Sequence, residues 1–130
     1  MESRARERAF LFAFAKDMEG NIPDNMVEEL NIDDLVEVKT FAGLLFEGMN
    51  RHIESIDETI SRYLKNWTIE RLRAVDRCIL RVALYELLFY KKTPAKVVMD
   101  EYTELAKRYG DTDSASFVNA VLDSVYRDNI

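Results

Sequence analysis

Apolar side chains along this chain return in steps of three and four and nowhere alternate over any length, which predicts helices throughout. Ala9, Phe10, Ala13 and Phe14 form one stripe, on a helix expected from about Ser3 to Lys16 with Ser3 as its cap. Gly20, Asn21 and Pro23 stop it, and a short helix from Asp24 to Leu30 follows, with Met26, Val27 and Leu30 on its apolar side. The next stripe reads Leu35, Val38, Phe41, Ala42, Leu45, Met49, Ile53, Ile56, Ile60 and Leu64. It passes Gly48 and Asn50 without a phase slip, so one long helix is expected from Asp33 or Asp34 to about Asn66. Trp67 and Thr68 mark a joint.

From Glu70 to Tyr90 a helix is expected that is apolar on most faces, through Leu72, Val75, Ile79, Val82, Leu84 and Leu87; such a helix sits at the centre of a core. Pro94 ends it. Ala95 to Tyr109 carries a stripe of Val98, Tyr102, Leu105 and Tyr109, and Gly110 supplies its stop. Asp111, Thr112 or Asp113 then caps a last helix with Val118, Val121, Leu122 and Val125 on one face. The pattern describes an all-α protein of about six to seven helices. Two small helical bundles, 1–66 and 67–130, are expected within one compact domain.

Composition narrows the class. The 130 residues suit one domain, and 48% hydrophobic with 32% charged residues excludes a wholly disordered chain. The longest near-continuous apolar run, Cys78 to Tyr90, contains Arg81 and Glu86 and would span about 20 Å as a helix, short of a bilayer. With no apolar leader at the amino terminus, a soluble cytoplasmic protein is expected. One cysteine and one histidine make neither an internal disulfide nor a zinc site, and no cofactor is expected. The net charge is -6, but it is segregated: +2 over residues 1–16, -9 over 17–64, +4 over 65–110 and -3 over 111–130. A polyanion senses the field within a Debye length of about 8 Å rather than the total. An RNA-binding face assembled from 1–16 and 65–110 is therefore compatible with the acidic sum; an ordinary acidic solubility face is the competing reading.

No catalytic constellation emerges. His52 lies beside the stripe of an acidic helix, where a solvated histidine is expected, and Cys78 among apolar neighbours is expected to be an inert core thiol. Asp111-Thr112-Asp113 begins like a calcium loop, but Ser116 and Leu122 occupy the positions that need glycine and glutamate. Gly43 and Gly48 are embedded in helix and cradle no phosphate. Two binding-type features remain. Arg4, Arg6 and Arg8 fall within five residues; on a helix Arg4 and Arg8 share a face and Arg6 lies 200° from Arg4, although all three could reach phosphates from a frayed end. Asp76, Arg77, Arg81 and Glu86 interrupt the central apolar helix, either as internal salt bridges or as an edge where Tyr85 and Glu86 meet another protein.

At these residues the chain resembles the NusB antitermination factors. The signature Arg77-Cys-Ile-Leu-Arg-Val-Ala-Leu-Tyr-Glu-Leu87 is similar to that family's central helix. So are Pro94-Ala-Lys-Val-Val-Met-Asp-Glu-Tyr, Glu104-Leu-Ala-Lys-Arg-Tyr-Gly110 and, in the last helix, Ser114-Ala-Ser-Phe-Val-Asn-Ala-Val-Leu-Asp123. Arg4-Ala-Arg-Glu-Arg-Ala-Phe-Leu-Phe-Ala-Phe14 resembles its arginine-containing first helix. The resemblance implies two perpendicular helical bundles and no enzymatic activity. It implies binding to the boxA RNA of ribosomal RNA leaders together with NusE, the small ribosomal protein that doubles as a transcription factor, with other elongation factors and RNA polymerase engaged indirectly. Arg4 and Arg6, joined by Arg8, would then touch RNA, with Asp123 near that surface. Glu86, with Arg81 and Tyr85, would face NusE. Phe117 and Asn119 also match. Glu2 and Glu7 dilute the basic end, Phe14 replaces a common tyrosine, and Ser116 stands where a basic residue or glycine is frequent, so RNA affinity without the partner is expected to be weak. Two other readings are the RNA-binding module of a ribosomal RNA methyltransferase, which would need a nucleotide-binding strand–loop–helix absent from this sequence, and a helical interaction protein without RNA binding. In the latter Tyr63 or Phe89 would seed a homodimer.

Overall fold

The computed structural model describes residues 2–21, 23–27, 40–65 and 67–129. Among these residues there are seven α-helices and no strand: α1 (Glu2–Asp17), α2 (Asp24–Val27), α3 (Phe41–Arg51), α4 (Ile53–Arg62), α5 (Ala74–Tyr85), α6 (Ala95–Tyr109) and α7 (Ser114–Asp128). A 3-10 turn, Ile69–Arg71, precedes α5, and a π-turn, Glu86–Tyr90, extends it. Residues 28–39, with the expected end of the second helix at Leu30 and the expected start of the third at Asp33 or Asp34, lie outside the described residues, as does Asn66.

The stripes converge on α5. Ile79, Leu80, Val82 and Leu84 are fully buried on different sides of it, and α5 packs against α1, α3, α4, α6 and α7. Phe10 and Leu11 from α1, Leu45 and Met49 from α3, Ile56 and Ile60 from α4, Val98 and Tyr102 from α6 and Val118 and Leu122 from α7 join one cluster around it. Each such side chain, fully buried, contributes about 1.5–3 kcal/mol. No helix among the described residues is long and apolar enough to cross a membrane.

Three boundaries differ from the periodicity. Ser3 does not cap the first helix, which starts at Glu2; its hydroxyl donates to Glu101 instead. The single helix expected to run to Asn66 bends at His52 (φ -112°, ψ 16°) and ends at Arg62. The His52 N–H still reaches the carbonyls of Gly48 and Met49, and the Ile56 N–H reaches that of His52, so the stripe keeps its phase across the bend. The His52 ring lies half-buried, 4.1 Å from Phe89 and 6.0 Å from Tyr85 between ring centres, a packed group rather than the expected solvated one. Gly48 is obligatory beside it, because a Cβ there would stand 2.1 Å from Tyr85 Cζ.

The third difference is at the joint. α5 begins at Ala74, not Glu70; Leu72 and Arg73 are extended, and Arg77 Nη1 donates to the carbonyls of Leu72 (2.9 Å) and Ile69 (3.3 Å). That contact holds the strap in place, sharing the Ile69 carbonyl with the Leu72 N–H at 3.2 Å. At the other end the π-turn closes with the Lys91 N–H on the Glu86 carbonyl at 3.1 Å, and Lys91 takes a left-handed conformation (φ 60°). α6 has the expected limits.

Candidate nucleic-acid interface

Arg6 and Glu86 do not form the surfaces expected of them. They are 2% and 0% exposed and meet each other inside the protein. Arg6 Nε donates to Glu86 Oε1 and Oε2 at 2.9 and 3.0 Å, and Nη2 donates to Oε2 at 2.7 Å. The Tyr102 hydroxyl at 2.7 Å and the Thr93 hydroxyl at 2.7 Å complete the Glu86 carboxylate, while Arg6 Nη1 reaches Glu101 at 3.3 Å. A buried carboxylate needs such saturation, since leaving a charge unpaired out of water is far costlier than leaving it exposed. Burial works to lower the Arg6 guanidinium, but the Glu86 hydrogen bond and charge prevail and hold it above its ordinary value. Burial, followed by Glu86, pushes the Tyr102 phenol well above its own. Arg6 and Glu86 thus neutralise each other inside the fold instead of lying on its surface, and the pair bolts α1 to the end of α5.

Arg81 and Tyr85 are likewise engaged by internal partners. Arg81 donates bidentately to Asp57 (2.8 and 2.9 Å) and to Asp17 (3.0 Å), and Arg77 also meets Asp17 (2.6 Å). Burial works to raise Asp17, but the two arginines prevail and hold it below the usual carboxylate range. Tyr85 is buried in a stack with His52 and Phe89. Cys78 is buried, and that burial pushes its thiol up to about 12, leaving it unreactive as expected.

Arg4 and Arg8 stay partly exposed on a helix that is formed, not frayed, from Glu2 onward. Arg4 bonds Glu7, which is also bonded by Arg108 and, at 2.6 Å, by the Tyr109 hydroxyl. Burial works to raise Glu7, but hydrogen bonds from Tyr109, Arg4 and Arg108 hold it low. The shallow groove here, of about 470 Å³, brings Arg4 beside Lys107 and Arg108 of α6. Arg4, Lys107 and Arg108 are matched in it by Glu7, Glu101 and Glu104, so it carries no cationic excess. Asp123 is half-buried on α7 and pairs with Arg127 at 3.0 Å.

A second set of cations, Lys65, Arg71 and Arg73, gathers around the joint, in a groove also lined by the carboxylates Asp76 and Asp113. This groove, of about 520 Å³, runs between the end of α4, the strap before α5 and the start of α7. Trp67, 58% exposed, stands over it; Lys65, Arg71 and Arg73 edge it, and Phe117 and Leu72 form its apolar wall. No ion pair joins Lys65 or Arg71 to another described residue. Arg73 reaches the exposed Asp111 at 2.9 Å and Asp76 at 3.8 Å. Tyr63 is anchored by its hydroxyl to Asp128 at 2.6 Å, and that bond raises its phenol. Exposed aromatic faces interleaved with hydrated cations stack bases and hold phosphates, with no demand for a folded duplex. Of this constellation sequence reasoning named Phe117 as a matching position, Trp67 as a joint, Tyr63 as an exposed aromatic, and Leu72 and Asp76 as parts of the central helix, without joining them into one site. A lone tryptophan in a linker, outside every stripe and flanked by Lys65, Arg71 and Arg73, was the available signal.

A family model described as the NusB family matches residues 3–127. The transcription antitermination protein NusB of Bacillus cereus (strain B4264) is 38% identical over 121 residues, 93% of each chain. Among solved structures, T. maritima NusB superposes with a TM-score of 0.83 at 36% identity, over 98% of this chain and 92% of that one. The structure of antitermination factors NusB and NusE in complex with dsRNA gives 0.78 at 32% identity, over 98% and 96%. The solution structure of NusB from Aquifex aeolicus gives 0.73 at 34%, over 98% and 89%.

Proposed function

This chain belongs to the NusB family of transcription antitermination factors, which are not enzymes, and on that premise we propose that it binds boxA RNA together with NusE in the cytoplasm, acting on RNA polymerase through other elongation factors. The RNA lies in the groove at the joint. The observation that carries this reading is the exposed Trp67 set among Lys65, Arg71 and Arg73 with Phe117 beside it. The acidic total does not oppose it, because a polyanion senses the local field, and Lys65, Arg71 and Arg73 outnumber the carboxylates Asp76 and Asp113 that line the groove.

NusE takes the other end of α5 in this reading. There the π-turn presents Leu87, Leu88 and Phe89 to a groove of about 590 Å³ shared with Tyr126, and Phe89 and Tyr126 are each 38% exposed. Glu86 acts from beneath, fixing the turn that carries them. Because Trp67 is the chain's single tryptophan, its fluorescence reports the groove directly. A boxA oligonucleotide is expected to quench it, more strongly with NusE present and less as salt rises. Absence of quenching and of binding at low salt, with and without NusE, overturns the proposal. Phe89→Asp is expected to weaken NusE binding while RNA quenching by the isolated protein persists.

A further inference from the structure

Beneath Trp67 the groove contains a group that phosphate binding does not use. Asp76, on the first turn of α5, lines the groove with its side chain 6% exposed. Its Oδ1 is buried and has no hydrogen-bond partner among the described residues, whereas the other buried carboxylates, Glu7 and Glu86, are saturated by donors. A carboxylate so placed is an acceptor in want of a donor. Its neighbour Arg73 is half-exposed and drawn to Asp111 in a surface pair of the kind that contributes little. Arg73 Nη1 also lies 3.8 Å from Asp76 Oδ2, so a phosphate entering the groove competes with both carboxylates for that guanidinium.

Resting on the groove as the RNA interface, we propose that Asp76 is a specificity-determining residue: its Oδ1 accepts a hydrogen bond from the exocyclic amino group of a base stacked on Trp67. The groove then prefers amino bases to keto bases. Cytosine offers its N4 amino group where uracil places the O4 oxygen, which a carboxylate repels. Lys65 and Arg71, as phosphate contacts, add affinity without choosing the base. Burial pushes the Asp76 carboxyl up, more than Ser114 and Arg73 pull it down, so the uncharged Asp76→Asn is compatible with the fold.

The test is a Trp67 quenching titration of the full chain with octacytidylate and octauridylate, alone and with NusE. Octacytidylate is expected to bind about tenfold more tightly. In Asp76→Asn the two are expected to fall within about twofold of each other. Octamers of N4,N4-dimethylcytidine, which lack the amino hydrogens, are expected to bind the native protein like octauridylate; this arm decides the matter even if the variant fails to fold. Discrimination unchanged in a folded Asp76→Asn, or untouched by dimethylation, overturns the assignment and leaves the groove as an RNA interface. Equal losses for both ribo-octamers in the variant, together with weak binding of octadeoxycytidylate by the native protein, overturn it in favour of a sugar hydroxyl as the donor. No quenching by any octamer overturns both the assignment and the reading on which it rests.

Discussion

At the C-terminal end of α5, Arg6 and Glu86 face each other out of water; at its N-terminal end, Arg71 and Arg73 stand in it. The first arginine is bonded on every side, to Glu86, Glu101 and the face of Phe41 at 5.4 Å. Of the second pair, Arg73 reaches the exposed Asp111 at 2.9 Å and Asp76 at 3.8 Å, and no ion pair joins Arg71 to a described residue. The residue type is the same and the consequence opposite. Where desolvation forces a guanidinium to be neutralised, its charge holds helices together and is lost to any ligand. Where the guanidinium stays hydrated, its charge remains available to a polyanion.

The largest expected effect tests the buried half of that contrast. Glu86→Ala strands the Arg6 guanidinium and the Tyr102 and Thr93 hydroxyls, and should destabilise the protein by about 3–5 kcal/mol in urea unfolding. The Arg6→Ala, Glu86→Ala double variant should lose less than the sum of the single changes. Arg71→Ala should change stability by no more than about 0.5 kcal/mol. A cost for Arg71→Ala equal to that of Glu86→Ala breaks the contrast. Charge reversal at Glu86 is accordingly expected to unfold the protein rather than isolate a lost partner contact.

The exposed half is read in binding. Trp67→Ala should weaken RNA binding by about 1–3 kcal/mol, followed by anisotropy of a labelled oligonucleotide, with unfolding midpoints unchanged. Lys65→Ala and Arg71→Ala should each reduce the salt slope by about 0.7. If Trp67→Ala leaves RNA binding intact, the groove is not the interface.

Why the two ends were unequally legible follows from what periodicity encodes. α6 and the face of α7 could be read because each packs a continuous stripe on one side, and a stripe is a local property. The bend at His52 left no trace because Met49, Ile56 and Ile60 keep their phase through it. The strap at 69–73 reads as helix from Glu70, Arg71 and Leu72, all good helix formers; it is opened by Arg77, whose claim on the Leu72 carbonyl is a three-dimensional fact. Arg6 lay visibly off the face of Arg4 and Arg8, but that it turns inward depends on Glu86, eighty positions along the chain. The groove suffers most from this. Lys65, Arg71 and Arg73 dissolve into the general +4 of residues 65–110 until α4, the strap and α7 set them around one tryptophan.

The smallest effect, in pH, sharpens the contrast because the two regions should respond with opposite sign. Asp17 joins the end of α1 to α5 through Arg77 and Arg81, and these hold its carboxyl below the usual range. Such a group adds stability above its unfolded value, near about 3.9, and loses it as pH falls through the depressed folded value. Asp17→Asn should therefore lower stability at pH 7 by about 1 kcal/mol and converge on the native protein in acid. Asp76 in the groove floor is raised, chiefly by burial, so its contribution is present below the unfolded value and is lost as pH rises through the folded one. Asp76→Asn should then be the more stable protein at pH 7 and lose that advantage toward acid, as expected of a site that retains an unmatched charge for its ligand. Urea midpoints for both variants at pH 7, 5 and 3 provide the comparison. Parallel pH profiles for the two would mean that the groove floor is as well satisfied as the interior, and the division between structural and available charge would fail at the residue where it matters most.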